Sequence, residues 1–147
     1  MNYAMAELNF PTRVIHTPFR QTDPYGSLNM PVYDNVAFES DTAEELHNTF
    51  KGEKQGHIYS RISNPTVEYL EEKMKHATGA LSVTALSSGM AAITNLMVTI
   101  SKTGDNVVTT RHIFGNTYSL FEKTLKPFGI EFRYADLTKP ESIEHVI

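Results

Sequence analysis

After residue 80, short apolar runs alternate with helix-like amphipathic stretches. LSVTAL, NVVTT and IEFRYA are short runs rich in β-branched and aromatic residues, and they predict strands. Between and after them, GMAAITNLMVTI, NTYSLFEKTLKPFG and PESIEHVI predict helices. Strands and helices in regular alternation build right-handed βαβ units. The pattern therefore predicts an α/β fold with a mainly parallel sheet.

Another helix is predicted just before this region. Asn64 followed by Pro65 is typical of an N-cap and a first helical position, and Gly79 is typical of a helix end. Apolar positions recur along it at spacings of three and four residues, at Val67, Leu70, Met74 and Ala77. We interpret these residues as a helix face that packs in the core of the protein.

Residues 1–39 lack such periodicity and are rich in proline and turn-forming residues such as TDPYGS, which predicts an extended arm. A short helix is predicted next, from Asp41 to Phe50, capped by Ser40 or Asp41. Aromatic side chains of the arm would be costly to leave in water, so we expect the arm to lie on another surface, partly on a second subunit. These side chains are Phe19, Tyr25, Tyr33 and Phe38.

Composition excludes several classes of protein. The 147 residues contain no cysteine, which excludes thiol catalysis, disulfides and thiolate metal sites. With a net charge of −4 and no Lys/Arg block, we expect no nucleic-acid partner, and the six histidines show no metal-ligand spacing. No apolar run approaches the roughly 20 residues of a membrane span, and no secretory signal opens the sequence. We therefore expect a cytoplasmic protein with no membrane partner and no metal.

The stretch ALSSGMAAI places two serines and a glycine between a predicted strand and a predicted helix. In parallel sheets ligands gather at the carboxyl ends of strands, where free N–H groups at a helix N-terminus favour an anion. Ser87, Ser88 and Gly89 occupy this position, although the same residues also serve as plain helix caps. Because GxGxxG and GxxxxGK[ST] are absent, a small ligand with one phosphate is preferred over a dinucleotide or a nucleoside triphosphate.

The cluster YSRISNPT offers a second group of anion-binding side chains. The guanidinium of Arg61 suits phosphate or carboxylate, and Tyr59 would share its face if the chain between them were extended. A surface arginine beside a packed tyrosine is the alternative interpretation.

Together these motifs resemble those of the Cys/Met metabolism, or trans-sulfuration, family of pyridoxal-phosphate enzymes. The resemblance rests on YSRISNPT, SSGMAA, the GD pair at 104–105 and FGNTY at 114–118, and it runs from Thr12 and PVYDNVAF to the end of the chain. It implies the N-terminal part of a fold-type I large domain, incomplete in this chain. Residues 1–62 would form an arm that contacts a neighbouring subunit, and residues 63–147 the first part of the α/β cofactor-binding domain.

The resemblance also implies a set of cofactor-binding residues. Backbone amides of Gly89 and Met90 would hold the cofactor phosphate with help from Ser88, and Tyr59 and Arg61 would complete that site from the adjacent subunit. A homodimer or homotetramer is therefore expected. Phe114 would stack on the pyridine ring where the family usually has tyrosine, so the phenol hydroxyl that assists proton movement in relatives is missing here.

In members of the family, two residues that the chemistry needs lie far downstream in the chain. They are the lysine that bonds to the cofactor and the acidic partner of the pyridine nitrogen. None of the eight lysines of this chain stands in the family's lysine motif, so no catalytic residue is assigned and the chain alone is expected to be inactive.

The parent enzyme is expected to act on a sulfur amino acid or an O-acylhomoserine, by elimination or thiol replacement. Thiol replacement on O-acetylhomoserine is the leading expectation. Two alternatives stay open: a non-catalytic anion-binding or subunit-assembly module, and another α/β enzyme acting on a phosphorylated sugar or nucleotide.

Overall fold

A computed structural model describes residues 9–17 and 25–147, in two compact units, Met1–Ala85 and Leu86–Ile147. Phe19 of the predicted arm lies outside the described residues. Among the helices of the described residues, none combines the length and the apolar character that a membrane crossing requires.

In residues 9–17 and 25–85, the described part of the first unit, there are three helices, each started by a capping side chain. They are α1 (Phe10–Ile15), α2 (Ala43–Phe50) and α3 (Pro65–Thr78), and their N-caps are Asn9, Thr42 and Asn64. The predicted start and end of α3 are confirmed, since Asn64 caps it and Gly79 follows it with a φ of 73°. Two details of the prediction are wrong: Thr42, not Ser40 or Asp41, caps α2, and the arm contains a helix, α1, that its poor periodicity did not indicate.

Although α1 packs against α3, the predicted apolar face of α3 is buried only at its last position. The Tyr69 hydroxyl donates to the Thr17 carbonyl, and Ala77, eight residues further along, is buried. Val67, Leu70 and Met74 are 42%, 51% and 45% exposed, so most of the predicted core stripe stays in water within this unit. Only Ala77 of the stripe fulfils the prediction of core packing.

The second unit follows the predicted alternation from its first helix onward. Its elements are α4 (Gly89–Ile100), β1 (Asn106–Thr109), α5 (Gly115–Ser119), β2 (Glu131–Tyr134) and α6 (Pro140–Glu144). After α5 the chain continues as a π-helical turn, Leu120–Leu125, and a short 3₁₀ turn, Lys126–Phe128. The two strands pair in parallel with Val107 opposite Phe132, which confirms the predicted βαβ connection.

The core of the second unit lies between α4, the π-helical turn and β2. Its buried side chains are Met97, Phe121, Leu125, Ile130 and Phe132. The rings of Phe121 and Phe132 stack with their centroids 4.4 Å apart. Aromatic and aliphatic burial of this kind is the main force that holds a small sheet against its helices.

The strand predicted over LSVTAL, residues 81–86, does not form. Among the described residues no neighbouring strand pairs with this segment, and the sheet has two strands, β1 and β2. The Ala85 N–H instead donates to Glu71 Oε1 of α3 at 2.7 Å. A backbone donor that meets a nearby carboxylate is satisfied without a sheet, so the apolar pattern alone does not impose a strand.

Candidate functional site

The N-terminus of α4 presents unpaired backbone donors. The Ser88 side chain accepts a hydrogen bond from the Ala91 N–H at 3.1 Å, and the Ser88 carbonyl accepts one from Ala92 at 3.0 Å. In the part of the chain that the structure describes, no protein group accepts from the N–H of Gly89 or Met90. Gly89 is exposed, and a side chain at this position would meet no other part of the described chain within 4 Å. The two unpaired donors therefore lie at an open end of the helix.

Electrostatics at this helix end favour an anion. The helix α4 is 12 residues long, and no acidic residue lies in its first turn to compete for its free N–H groups. The positive end of the helix dipole adds to the two N–H donors. A phosphate group therefore fits the residues that are present, with Ser88 serving as the cap of the helix.

Phe114 lies at the start of the neighbouring helix. As the N-cap of α5 it accepts hydrogen bonds at its carbonyl from the N–H groups of Thr117 and Tyr118, at 2.9 and 3.1 Å. Phe114 is 73% exposed, which leaves its side chain accessible for stacking on a planar ligand. The Thr117 hydroxyl donates to the Met90 sulfur at 3.7 Å, which holds the starts of α4 and α5 side by side.

Tyr59 and Arg61 are brought together in the first unit, by a turn. The Tyr59 carbonyl accepts from the N–H groups of Ile62 and Ser63 at 2.8 and 3.1 Å, so the chain bends after Tyr59 and is not extended. The guanidinium carbon of Arg61 lies 5.3 Å from the centroid of the Tyr59 ring, a cation–π arrangement. No carboxylate among the described residues pairs with Arg61, which leaves its N–H groups available for an anion.

Asn64 and Thr66 fix this turn to the PVYDNVAF segment, a role that the sequence did not indicate. Asn64 is buried, and its Nδ2 donates to the Tyr33 carbonyl at 3.0 Å and to Ser60 Oγ at 2.9 Å. Thr66 Oγ1 accepts from the Tyr33 N–H at 2.9 Å and donates to the Pro31 carbonyl at 3.1 Å. The sequence around Asn64 indicates a helix cap, whereas its partner Tyr33 lies 31 residues away in the chain and carries no local pattern.

A polar cluster beside the sheet was also missed. Tyr134, the last residue of β2, donates to Glu122 Oε1 at 2.9 Å, and Lys126 Nζ lies 2.8 Å from Glu122 Oε2. The Arg111 guanidinium, just beyond β1, lies 5.0 Å from the Tyr134 ring centroid. Burial, and then the bond to Glu122, raise the pKa of Tyr134 to about 12. The hydrogen bond from Lys126, and then that from Tyr134, lower the pKa of Glu122.

The predicted site residues thus form two groups. In the second unit, Ser88, Gly89 and Met90 lie at the start of α4 and Phe114 at the start of α5, and the Thr117–Met90 contact links the two helix starts; Tyr59 and Arg61 adjoin each other in the first unit. No group of three or more His, Asp or Glu side chains in residues 9–17 and 25–147 is arranged to hold a metal ion.

Comparison with known proteins gives a consistent result. The model of the family described as Cys/Met metabolism PLP-dependent enzymes matches residues 11–147. The L-methionine gamma-lyase of Pseudomonas putida is 37% identical over 135 residues, which are 92% of this chain and 34% of that protein. This chain therefore spans about a third of the length of that curated relative.

Solved structures agree with this result. One from Campylobacter jejuni, described as an O-acetylhomoserine (thiol)-lyase and containing a pyridoxyl-lysine monophosphate, matches with a TM-score of 0.87 and 34% identity, over 95% of this chain and 34% of that one. The O-acetylhomoserine sulfhydrylase of Wolinella succinogenes is 54% identical, with a TM-score of 0.55, over 58% of this chain and 24% of that one.

Proposed function

Because the chain belongs to the Cys/Met metabolism family of pyridoxal-phosphate-dependent enzymes, we propose that it supplies the phosphate-binding and ring-stacking half of such an enzyme's cofactor site. The observation that carries the proposal is the pair of unpaired N–H groups of Gly89 and Met90, together with the exposed Phe114 at the start of α5, which the Thr117–Met90 contact links to α4. A phosphate and a flat ring on one small molecule match these two features. Structural relatives of this chain have the fold of fold-type I enzymes.

Each residue has a distinct part in this proposal. Gly89 and Met90 donate backbone hydrogen bonds to the phosphate, and Ser88 holds the first turn of α4 in place. Phe114 covers one face of the pyridine ring and, having no hydroxyl, transfers no proton. Bound pyridoxal phosphate supplies an electron sink that makes the α-proton of an amino acid easier to remove.

Tyr59 and Arg61 complete the phosphate site of a neighbouring subunit in this proposal. Both side chains are exposed, and the Arg61 guanidinium retains free donors. A homodimer is then the smallest unit with a complete site. The exposed apolar residues of the segment before this turn support an interface there, namely Leu28, Val32 and Val36.

The proposed substrate is O-acetylhomoserine, with a thiol or sulfide replacing its acetoxy group. The support comes from the O-acetylhomoserine (thiol)-lyase of Campylobacter jejuni and the O-acetylhomoserine sulfhydrylase of Wolinella succinogenes, the second of which is 54% identical over its matched segment. Elimination from methionine is the second candidate, because the Pseudomonas putida relative is a methionine gamma-lyase.

The proposal can be tested on the natural protein that contains this chain. The protein is titrated with pyridoxal phosphate and followed by absorbance, and the complex is then reduced with borohydride so that labelled lysines can be mapped by mass spectrometry. We expect saturable binding that Gly89→Asp abolishes, because a carboxylate side chain would occupy the anion's place. Thr99→Val, a change at an exposed position near the opposite end of α4, is the control and should bind as the wild type does.

A single labelled lysine would support an enzyme, and a turnover assay with O-acetylhomoserine and with methionine would then separate the two substrates. Saturable binding without a specific lysine would support a non-catalytic module. Equal binding by wild type and Gly89→Asp would overturn the assignment of the site.

A further inference from the structure

Thr117 differs from four other helical threonines in the acceptor of its hydroxyl. These four, in three different helices, donate to the backbone carbonyl four residues earlier: Thr49, Thr78, Thr94 and Thr99. Thr117 is the third residue of α5, so the residue four positions before it, Ile113, precedes the helix. Its hydroxyl donates instead to the sulfur of Met90, on another helix, at 3.7 Å.

This contact joins the two segments that the proposed cofactor site needs. Met90 is the second residue of α4 and carries one of the two unpaired N–H groups. Thr117 is bonded through its own N–H to the carbonyl of Phe114, at 2.9 Å. Thr117 is buried, which limits the competition of water for its hydroxyl, and among the described residues the Met90 sulfur is the acceptor that this hydroxyl meets.

We infer that Thr117 is a positioning residue, which sets the spacing between the phosphate-binding turn at Met90 and the Phe114 ring. A phosphate and a ring within one rigid molecule require a fixed separation between the groups that hold them, and small displacements weaken binding. Thr117 touches neither the phosphate nor the ring in this inference and acts through Met90. The inference rests on the proposed function, which it deepens.

Substitutions of the hydroxyl test the inference. Thr117→Val keeps the shape and removes the donor, whereas Thr117→Ser keeps the donor. We expect Thr117→Val to raise the Kd for pyridoxal phosphate by about three- to tenfold, in keeping with the loss of one hydrogen bond. Thr117→Ser should stay within about twofold of wild type. Thr99→Val removes a hydroxyl bonded to the same helix and is the matched control, with an unchanged Kd.

A double-mutant cycle with Met90→Leu identifies the partner, because leucine keeps the backbone N–H and removes the sulfur. If Thr117 acts through that sulfur, Thr117→Val should change the Kd little in the Met90→Leu background. Full additivity of the two changes, or an unchanged Kd in Thr117→Val itself, would overturn the inference.

A second readout separates this inference from the proposed function. In the protein without cofactor, the methyl carbon shift of Met90 and the hydrogen exchange of the Gly89 and Met90 amides report the position of the turn directly. We expect Thr117→Val to shift the methyl signal and to speed exchange, and Thr117→Ser to restore both. Failure of the wild type to bind pyridoxal phosphate would refute the proposed function, while unchanged shifts and exchange in Thr117→Val would refute the positioning role.

Discussion

At the scale of single residues, Tyr134 shows how burial and a neighbouring carboxylate change the pKa of a phenol. Its hydroxyl donates to Glu122, its ring lies beneath Arg111, and burial together with the Glu122 bond raises its pKa to about 12. The folded state therefore favours the neutral phenol. Since an exposed tyrosine ionises near pH 10, the unfolded chain loses this proton first as the pH rises.

We expect the stabilisation that Tyr134 gains from its raised pKa to be complete below about pH 10 and to be lost as the pH rises towards about 12. Urea unfolding of wild type and Tyr134→Phe at a series of alkaline pH values measures this contribution. The stability difference between the two should fall across that interval. A difference that is constant with pH would show that the Tyr134 phenol ionises like an exposed one.

At the scale of elements, two glycines end helical segments with left-handed backbone but differ in their surroundings. Gly79 follows α3 with a φ of 73° and has open space where a side chain would stand. Gly129 follows the 3₁₀ turn with a φ of 87°, and a Cβ there would lie 2.7 Å from Thr103 Cγ2. Thr103 cannot easily turn away, because its hydroxyl donates to the Phe128 carbonyl at 2.9 Å.

Gly79→Ala should therefore lower the free energy of unfolding by about 1 kcal/mol, the cost of the backbone conformation alone. Gly129→Ala should lower it by about 2–3 kcal/mol, because the collision with Thr103 adds to that cost. Chemical denaturation measures both values. In a Thr103→Ser background, which lacks Cγ2 and keeps the hydroxyl, the excess at Gly129 should disappear; an excess that persists would assign the loss to another cause.

At the scale of the whole molecule, the proposed site needs residues from two copies of the chain. Gly89 and Met90 belong to one group of site residues and Tyr59 and Arg61 to the other, and the proposal places these groups on neighbouring subunits at each site. In a two-fold symmetric dimer such sharing is reciprocal, because each subunit contributes the same residues to the site of the other.

Mixing an Arg61→Ala subunit with a Gly89→Asp subunit should then restore activity. Each mixed dimer contains one site with both changes and one site with neither, so random association of equal amounts should recover about a quarter of the wild-type activity. Differently tagged subunits allow the mixed dimers to be purified and assayed for turnover. Inactive mixed dimers would place all four groups on the same subunit.

Local features of this protein were determined by its sequence. The cap at Asn64, the stop at Gly79 and the helix after SSG were predictable, because each depends on hydrogen bonds and hydrophobic periodicity within a short stretch. The parallel pairing of NVVT with EFRY was predictable from the alternation of strands and helices, because a βαβ crossover brings successive strands together in parallel. The same stretches contain the motifs from which family membership was predicted. Capping hydrogen bonds and hydrophobic periodicity recur wherever the same residues recur, so they can be recognised from the sequence.

Contacts between distant residues were decided by the tertiary structure. The Thr117–Met90 contact spans 27 positions, and the bond from Asn64 to Tyr33 spans 31. The segment LSVTAL has a strand pattern but forms no strand, and α3 buries Ala77 while leaving Leu70 half exposed. Each of these outcomes depends on which neighbour is present, since a backbone donor or an apolar face is satisfied by any suitable group within reach.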